Sequence, residues 1–151
     1  MSETMKLVMP ESEKADFRRW VYSLKSENMA QCRTLIVQTV MNTARRAKMF
    51  APRSKKVGEG AFLISSIRPV ISHNELGGSV YTQRYYAPYV EFGTGTGVVA
   101  PSDVADYAMT FKGRGIRKHN QRAQPYLFPA WRLAQKELME KLKQMGFEPV
   151  K

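Results

Sequence analysis

YYAPYVEFGTGTG, residues Tyr85–Gly97, joins a tyrosine-rich turn and one carboxylate to three glycines that alternate with threonines. Such a run is compatible with either a phosphate-binding loop or a sharp turn of the chain. A P-loop requires GxxxxGK[ST] and a dinucleotide fingerprint requires GxGxxG before a helix. Neither spacing occurs here, and the stretch GTGTGVVAP at residues 93–101 contains no lysine. Because alternating glycines also suit a sharp turn or a close backbone approach, the sequence favours a turn at this position and predicts no nucleotide binding.

Glu91 is the carboxylate of this run, and it invites interpretation as a general base. General acid–base chemistry normally needs a second titrating group or a metal nearby. The two histidines, His73 and His119, are far apart in sequence and the sequence does not place either beside Glu91, and Cys32 is the one cysteine. We therefore expect Glu91 to cap the following turn or to pair with an arginine. The sequence predicts no catalytic residue, no cofactor, no metal site and no enzyme.

Helical periodicity dominates the chain before this run. Apolar residues recur at helical spacing from Ser12 to Ala47, and Ser26-Glu27-Asn28 is expected to divide them into two helices. Pro52 is expected to end the second helix, because the residue before a proline is pushed out of the helical region.

Strand patterns follow this helical region. Phe62–Ser72 and Gly78–Tyr86 are rich in β-formers and predict an antiparallel hairpin around an Asn74–Gly78 turn. The last helix is expected from Pro129 to Met145, with Gly146 as its stop.

These elements predict an α+β domain, in which a small antiparallel sheet of three to four strands packs against long N-terminal and C-terminal helices. Residues 98–124 are expected to supply another strand or two, or a long exposed excursion. The expected organisation is a flexible arm at 1–11, a single domain at 12–147 and a tail at 148–151.

The net charge of +11 is unevenly distributed. Residues 33–72 carry eight basic groups against Glu59, residues 73–107 sum to −3, and residues 108–132 carry six basic groups and no acid. Two basic segments around an acidic middle predict contact with a polyanion or an acidic protein surface, although solubility alone would also explain them. No apolar run reaches the roughly 18 residues of a membrane helix, and no signal-peptide pattern occurs, so we expect an intracellular protein.

Two segments resemble the paired signature of phage neck or tail-completion proteins (minor tail protein Z-like): YAPYVEFGTG, Tyr86–Gly95, and QPYLFPAW, Gln124–Trp131. In that family an Ala-Tyr-Val-Glu-x-Gly-Thr core is followed by Pro-aromatic-Leu-x-Pro-Ala, which opens the last helix. Upstream, AKMFAPRSKKVGEGAFLISSI, Ala47–Ile67, resembles the family's helix end, Ala-Pro break, loop and Leu-x-x-Ser-Ile strand. The likeness covers residues 30–145. It departs from the family at Gly58-Glu59-Gly60, where a Thr-Gly is usual, and in the basic stretch Lys112–Arg122.

The resemblance implies a structural virion protein of a long-tailed phage, with no catalysis. It would sit in the neck at the head–tail junction, complete the tail and join it to a DNA-filled head, as a homo-oligomeric ring. The expected partners are other copies of the chain, the adjacent head-connector and tail-terminator or tail-tube proteins, and DNA bound independently of sequence. The implied location is the virion, after assembly in the host cytoplasm.

Two sets of residues are expected to form the contact surfaces. The hypothesised subunit interface comprises Tyr86, Tyr89, Glu91, Phe92, Gly93 and Gly95, since tyrosine adds large contact area at small entropy cost. The hypothesised contact with DNA or an acidic partner comprises Lys55, Lys56, Lys112, Arg114, Arg117, Lys118 and Arg122. A stand-alone basic nucleic-acid-binding protein is the alternative function, favoured by the charge and by aromatic residues that could stack on bases.

Overall fold

The computed structural model describes residues 5–6, 11–53, 60–95, 100, 102–109 and 121–148. Its strands are β1 (Met5–Lys6), β2 (Arg68–Ile71) and β3 (Gly78–Thr82). Its α-helices are α1 (Glu11–Ser23), α2 (Ser26–Phe50), α3 (Gly60–Ser66), α4 (Ala87–Phe92), α5 (Ala105–Met109) and α6 (Leu127–Gln144), and a 3₁₀ turn at Ser102–Val104 leads into α5. The α+β class is confirmed.

The two N-terminal helices form as the periodicity predicts. The break lies at Leu24 and Lys25, directly before the predicted Ser26. α2 buries a stripe at helical spacing that runs from Cys32 through Val40 to Ala47. It ends at Phe50, ahead of Pro52, as expected.

The segment before β2 corrects the sequence prediction. Residues 62–66 were expected to be strand, but they belong to α3. Leu63 and Ile67 are buried four residues apart, which is a helical spacing, and the hydroxyls of Ser65 and Ser66 bond to carbonyls three residues back. Helical burial and local hydroxyl bonds therefore outweigh the β propensity of this run.

The sheet is built around one hairpin. β2 and β3 form a two-stranded antiparallel hairpin in which Ile71 faces Gly78. β1 pairs antiparallel with the other edge of β3 over two residues. Beyond this short bridge the described residues contain no further strand, so the expected three to four strands are not confirmed. Residues 102–109, from the excursion that was expected to supply another strand, are helical.

α6 packs along α2, and α2 also contacts both strands of the hairpin. The guanidinium of Arg46 on α2 donates two bonds to the Glu137 carboxylate on α6, at 2.7 and 3.0 Å. At the C-terminal end of α6, the N–H of Phe147 donates to the Leu142 carbonyl and the N–H of Gly146 donates to the Lys143 carbonyl. Gly146 has φ +96°, so this is a Schellman stop at the glycine that the sequence indicates.

Two clusters of buried side chains form the core. The first joins the C-terminal half of α2 to α3, β3, α4, α5 and the start of α6, and Phe92 and Leu127 belong to it. The second joins α1, the N-terminal half of α2 and the end of α6, and includes Phe17 and Leu142. Among the described residues, no helix is both long and apolar enough to cross a membrane.

Candidate functional site

Part of the tyrosine-rich run is a short helix with one buried face. Residues 87–92 form α4, with Pro88 in the first turn, where a proline is tolerated. Gly93 follows with φ +80° and ends the helix, and Gly95 has φ +58°. Both glycines therefore adopt backbone angles that other residues seldom take.

Glu91 caps the N-terminus of α6, 35 residues further along the chain. Its Oε2 accepts the backbone N–H groups of Tyr126 and Leu127, both at 2.9 Å. Its Oε1 accepts the N–H of Phe128 at 3.0 Å. The residue is 1% exposed, so these bonds form away from water. Glu91 was expected to cap the turn that follows it or to pair with an arginine; the structure instead makes it the cap of a distant helix.

This cap satisfies every open donor at the start of α6. The first four N–H groups of an α-helix have no partner within the helix. In α6, with Tyr126 at the N-cap, three of these donors bond to Glu91, and the fourth position is Pro129, which has no N–H. The proline and the glutamate therefore complement each other, because one removes the donor that the other does not reach.

Further bonds join the two segments on either side of the cap. The N–H of Gln124 bonds to the Val90 carbonyl at 2.8 Å. Thr94 and Gln121 exchange two bonds, since the Thr94 N–H reaches the Gln121 carbonyl and the Gln121 N–H reaches Oγ1 of Thr94, each at 2.9 Å. The rings of Phe92 and Phe128 lie 5.5 Å apart. We call the unit formed by residues 86–95 and 121–131 the capped junction.

Burial shifts the pKa values of two side chains in the capped junction, Glu91 and Tyr126. It raises the pKa of Glu91 above its ordinary value, while the three backbone N–H groups act in the opposite direction. Burial also raises the pKa of the Tyr126 phenol, and the charges of Glu91 and Tyr86 add to that effect. The Tyr126 hydroxyl is buried and has no hydrogen-bond partner among the described residues.

The capped junction accounts for the described part of the glycine-rich run, residues 93–95, without a phosphate. A helix N-terminus attracts anions, but the N-terminus of α6 already holds the carboxylate of its own chain. The N–H groups of Gly93 and Thr94 bond to carbonyls of Tyr89 and Gln121. These donors are therefore used within the fold. Both oxygens of Glu91 are likewise occupied, which is a poor arrangement for a general base.

The residues proposed for a subunit interface divide between interior and surface. Glu91 and Phe92 are each 1% exposed and Gly93 is buried, so the prediction that they form a surface contact is wrong for the folded chain. Tyr86, Tyr89 and Gly95 are half-buried. Next to them Tyr85 is 76% exposed and stacks edge-on against Tyr86, and the Arg84 guanidinium lies over the half-exposed ring of Phe62.

Most residues proposed for polyanion contact lie outside the described residues: Lys55, Lys56, Lys112, Arg114, Arg117 and Lys118. Arg122 is described and is exposed. Within the described ranges, no group of three or more His, Cys, Asp or Glu side chains is placed to hold a metal ion.

Known proteins offer no direct comparison. No family model, curated protein or solved structure matches the chain.

Sequence reasoning missed the partner of Glu91. The relevant signal was the proline in the first turn of the last helix, which leaves three backbone donors for one carboxylate to accept.

Proposed function

We propose that this chain is a structural virion protein at the head–tail junction of a long-tailed phage. It would complete the tail and join it to the DNA-filled head, and it would act as an oligomeric ring. The proposal rests on the resemblance of two short segments to the paired signature of neck and tail-completion proteins.

The observation that carries the proposal is the capped junction. The two segments that bear the resemblance lie far apart in sequence, yet Glu91 of the first accepts three backbone N–H groups at the start of the second. The glutamate, the glycine after it and the proline of the last helix each have a role in one hydrogen-bonded unit. Shared physical roles make the combined resemblance more specific than either short segment alone.

The chemistry of the capped junction also favours a structural role. Its one carboxylate is committed to backbone donors. Its half-buried Tyr86 and Tyr89 adjoin the exposed Tyr85, and the neighbouring Arg84 packs on Phe62. Aromatic residues and arginine are enriched at protein–protein interfaces.

A genetic experiment tests this function. In the phage that encodes the chain, deletion of its gene should leave filled heads and separate tails in electron micrographs, and the wild-type gene supplied in trans should restore joined particles. A Glu91→Ala gene should restore few, because the capped junction is lost, whereas Glu140→Gln, which changes an exposed carboxylate on α6, should restore them fully. Intact infectious particles from the deletion phage would refute the proposal.

A stand-alone nucleic-acid-binding protein is the second candidate. Between Glu27 and Glu59 the sequence has seven basic residues and no acid. Among them, Arg33, Arg45 and Arg53 are exposed, whereas Arg46 is neutralised by Glu137. A purified monomer that binds duplex DNA tightly, together with a deletion phage that assembles normally, would favour this candidate over the neck protein.

A further inference from the structure

A groove of about 490 Å³ lies on the surface between the two core clusters. Its walls come from α1, α2, the β2–β3 hairpin and α6. The wall is largely apolar, and its apolar side chains include Phe17, Val21, Ile36, Val40, Trp131 and Leu138. This volume lies within the range of roughly 300–1,000 Å³ that is usual for a binding pocket.

The charged residues that line the groove, among those that the structure describes, are both basic. They are Lys14 and Arg18, both on α1, and no described carboxylate lines it. Arg18 is exposed and forms no ion pair with a described residue. The exposed ring of Tyr22 stands one turn further along the same helix. An occupant would therefore combine an apolar side chain with a negative charge.

The surface of the same chain carries one such combination among its described residues. The exposed large hydrophobic side chains are Tyr22, Met41, Met49, Phe50, Phe62, Val70, Tyr85, Met109 and Leu133. On the described helices, two of these hydrophobic side chains have an exposed carboxylate within one helical turn. Next to Leu133 it is Glu137, which is paired with Arg46. Next to Met109 it is Asp106, which forms no ion pair with a described residue.

We propose that the groove of one copy binds helix α5 of a second copy, with Met109 inserted between the apolar walls and Asp106 facing Arg18. No described side chain of α5 lines the groove of its own chain, so the two faces are separate patches. A contact between two different patches is heterologous, and it closes into a ring when the rotation per subunit allows. This inference rests on the proposed function, since it names the two faces that meet in the proposed ring.

Charge reversal tests the contact in the full-length chain. Arg18→Glu and Asp106→Arg should each weaken self-association about tenfold in sedimentation velocity, because each places like charges together across the contact. An equimolar mixture of the two variants should recover association. In that mixture every groove finds an α5 helix of opposite charge: the unchanged groove receives the unchanged helix, and the reversed groove receives the reversed helix.

Matched controls separate this contact from general charge effects. Arg19→Glu changes the neighbouring cation on α1, which does not line the groove, and Glu140→Arg changes an exposed carboxylate on α6. Both should associate like the wild type. A chain with Arg18→Cys, Asp106→Cys and Cys32→Ser should form a disulfide between subunits under oxidation. The control chain with Arg19→Cys, Glu140→Cys and Cys32→Ser should form none.

The association experiments and the genetic experiment test the groove contact and the neck function separately. A wild-type chain that remains monomeric at every concentration, variants that associate normally, or a mixture that fails to recover would overturn the α5-to-groove contact. Those results leave the genetic test of the neck function untouched. A deletion phage that joins heads to tails would refute the neck function, even if the groove contact held.

Discussion

At the scale of single residues, Glu91 determines how the last helix begins. An ionised carboxylate offers about four acceptor sites on two oxygens, and α6 presents three backbone donors at a start where Pro129 removes the fourth. A serine or asparagine cap at the helix itself would satisfy one or two donors. The glutamate instead lies on α4, so the hydrogen bonds that cap α6 are also a tertiary contact that joins α4 to α6.

Substitution of Glu91 should therefore destabilise the fold in graded steps. Glu91→Gln keeps one acceptor oxygen but turns an NH₂ group towards a backbone N–H, which should cost about 1–2 kcal/mol. Glu91→Ala leaves all three donors without a partner and should cost about 2–4 kcal/mol. Urea unfolding followed by circular dichroism measures both. Equal stability of the wild type and Glu91→Ala would show that the cap contributes nothing, and Glu140→Gln is the matched control.

Two carboxylates should give opposite dependences of stability on pH. Burial raises the pKa of Glu91 above its ordinary 4.5, so the folded state binds the proton more tightly than the unfolded state. Its contribution is complete below the ordinary value and declines as pH rises through the raised pKa. Bonds from Arg46 lower the pKa of Glu137, so that contribution is present above the ordinary value and is lost as pH falls through the lowered pKa.

Unfolding free energies from about pH 3 to 8 test both signs. The difference between wild type and Glu91→Gln should shrink as pH rises, and the difference between wild type and Glu137→Gln should grow. A Glu91 difference that grows with pH would mean that the backbone donors outweigh burial and hold the carboxylate ionised.

At the scale of elements, periodicity and stop signals predict the three long helices α1, α2 and α6. The end of α2 ahead of Pro52 and the glycine stop of α6 follow from local backbone chemistry that a sequence displays. The break between α1 and α2 also forms, but directly before Ser26-Glu27-Asn28, which were expected to make it and instead begin α2. α3 and α4 were missed for a common reason. Both are short, and both are set by the core that they face: α3 by burial of Leu63, and α4 by the reach of Glu91 to α6. Tertiary contacts decide such segments, and one sequence does not display those contacts.

The packing of α2 on the hairpin depends on a glycine. A Cβ on Gly78 would lie 2.7 Å from Cγ2 of Val40 and 2.7 Å from the Val70 carbonyl oxygen. Gly78→Ala should therefore destabilise the protein by about 1–3 kcal/mol, because overpacking pushes α2 away from the sheet. The neighbouring Gly77 is the matched control, since its Cβ would meet Oγ of Ser72 at an ordinary 3.5 Å.

A double-mutant cycle identifies the cause. Val40→Ala should cost less in the Gly78→Ala background than in the wild type, because it removes one of the two close contacts. Strictly additive costs, or a Gly77→Ala variant as unstable as Gly78→Ala, would contradict this account.

At the scale of the whole molecule, the uneven charge is plain in the sequence, but its neutralisation is not. Arg46 and Arg45 are neighbours in sequence, yet Arg46 is paired with Glu137 on α6 while Arg45 is exposed. Fold therefore selects which cations remain available to a partner. Near the end of α2, Arg45 and Arg53 remain exposed, and residues 28–58 contain no acid.

These two arginines should contact phosphates if the chain meets DNA in the neck. The logarithm of the binding constant for duplex DNA should then fall linearly with the logarithm of salt concentration, by about 0.9 per phosphate contacted. The Arg45→Gln/Arg53→Gln variant should lower that slope by about 2 and weaken all DNA sequences alike. Arg19→Gln, which changes a cation on α1 beside Asp16, should leave the slope unchanged. An unchanged slope in the double variant would show that the two arginines contact no phosphate, because phosphate contacts cannot be removed without releasing fewer counterions.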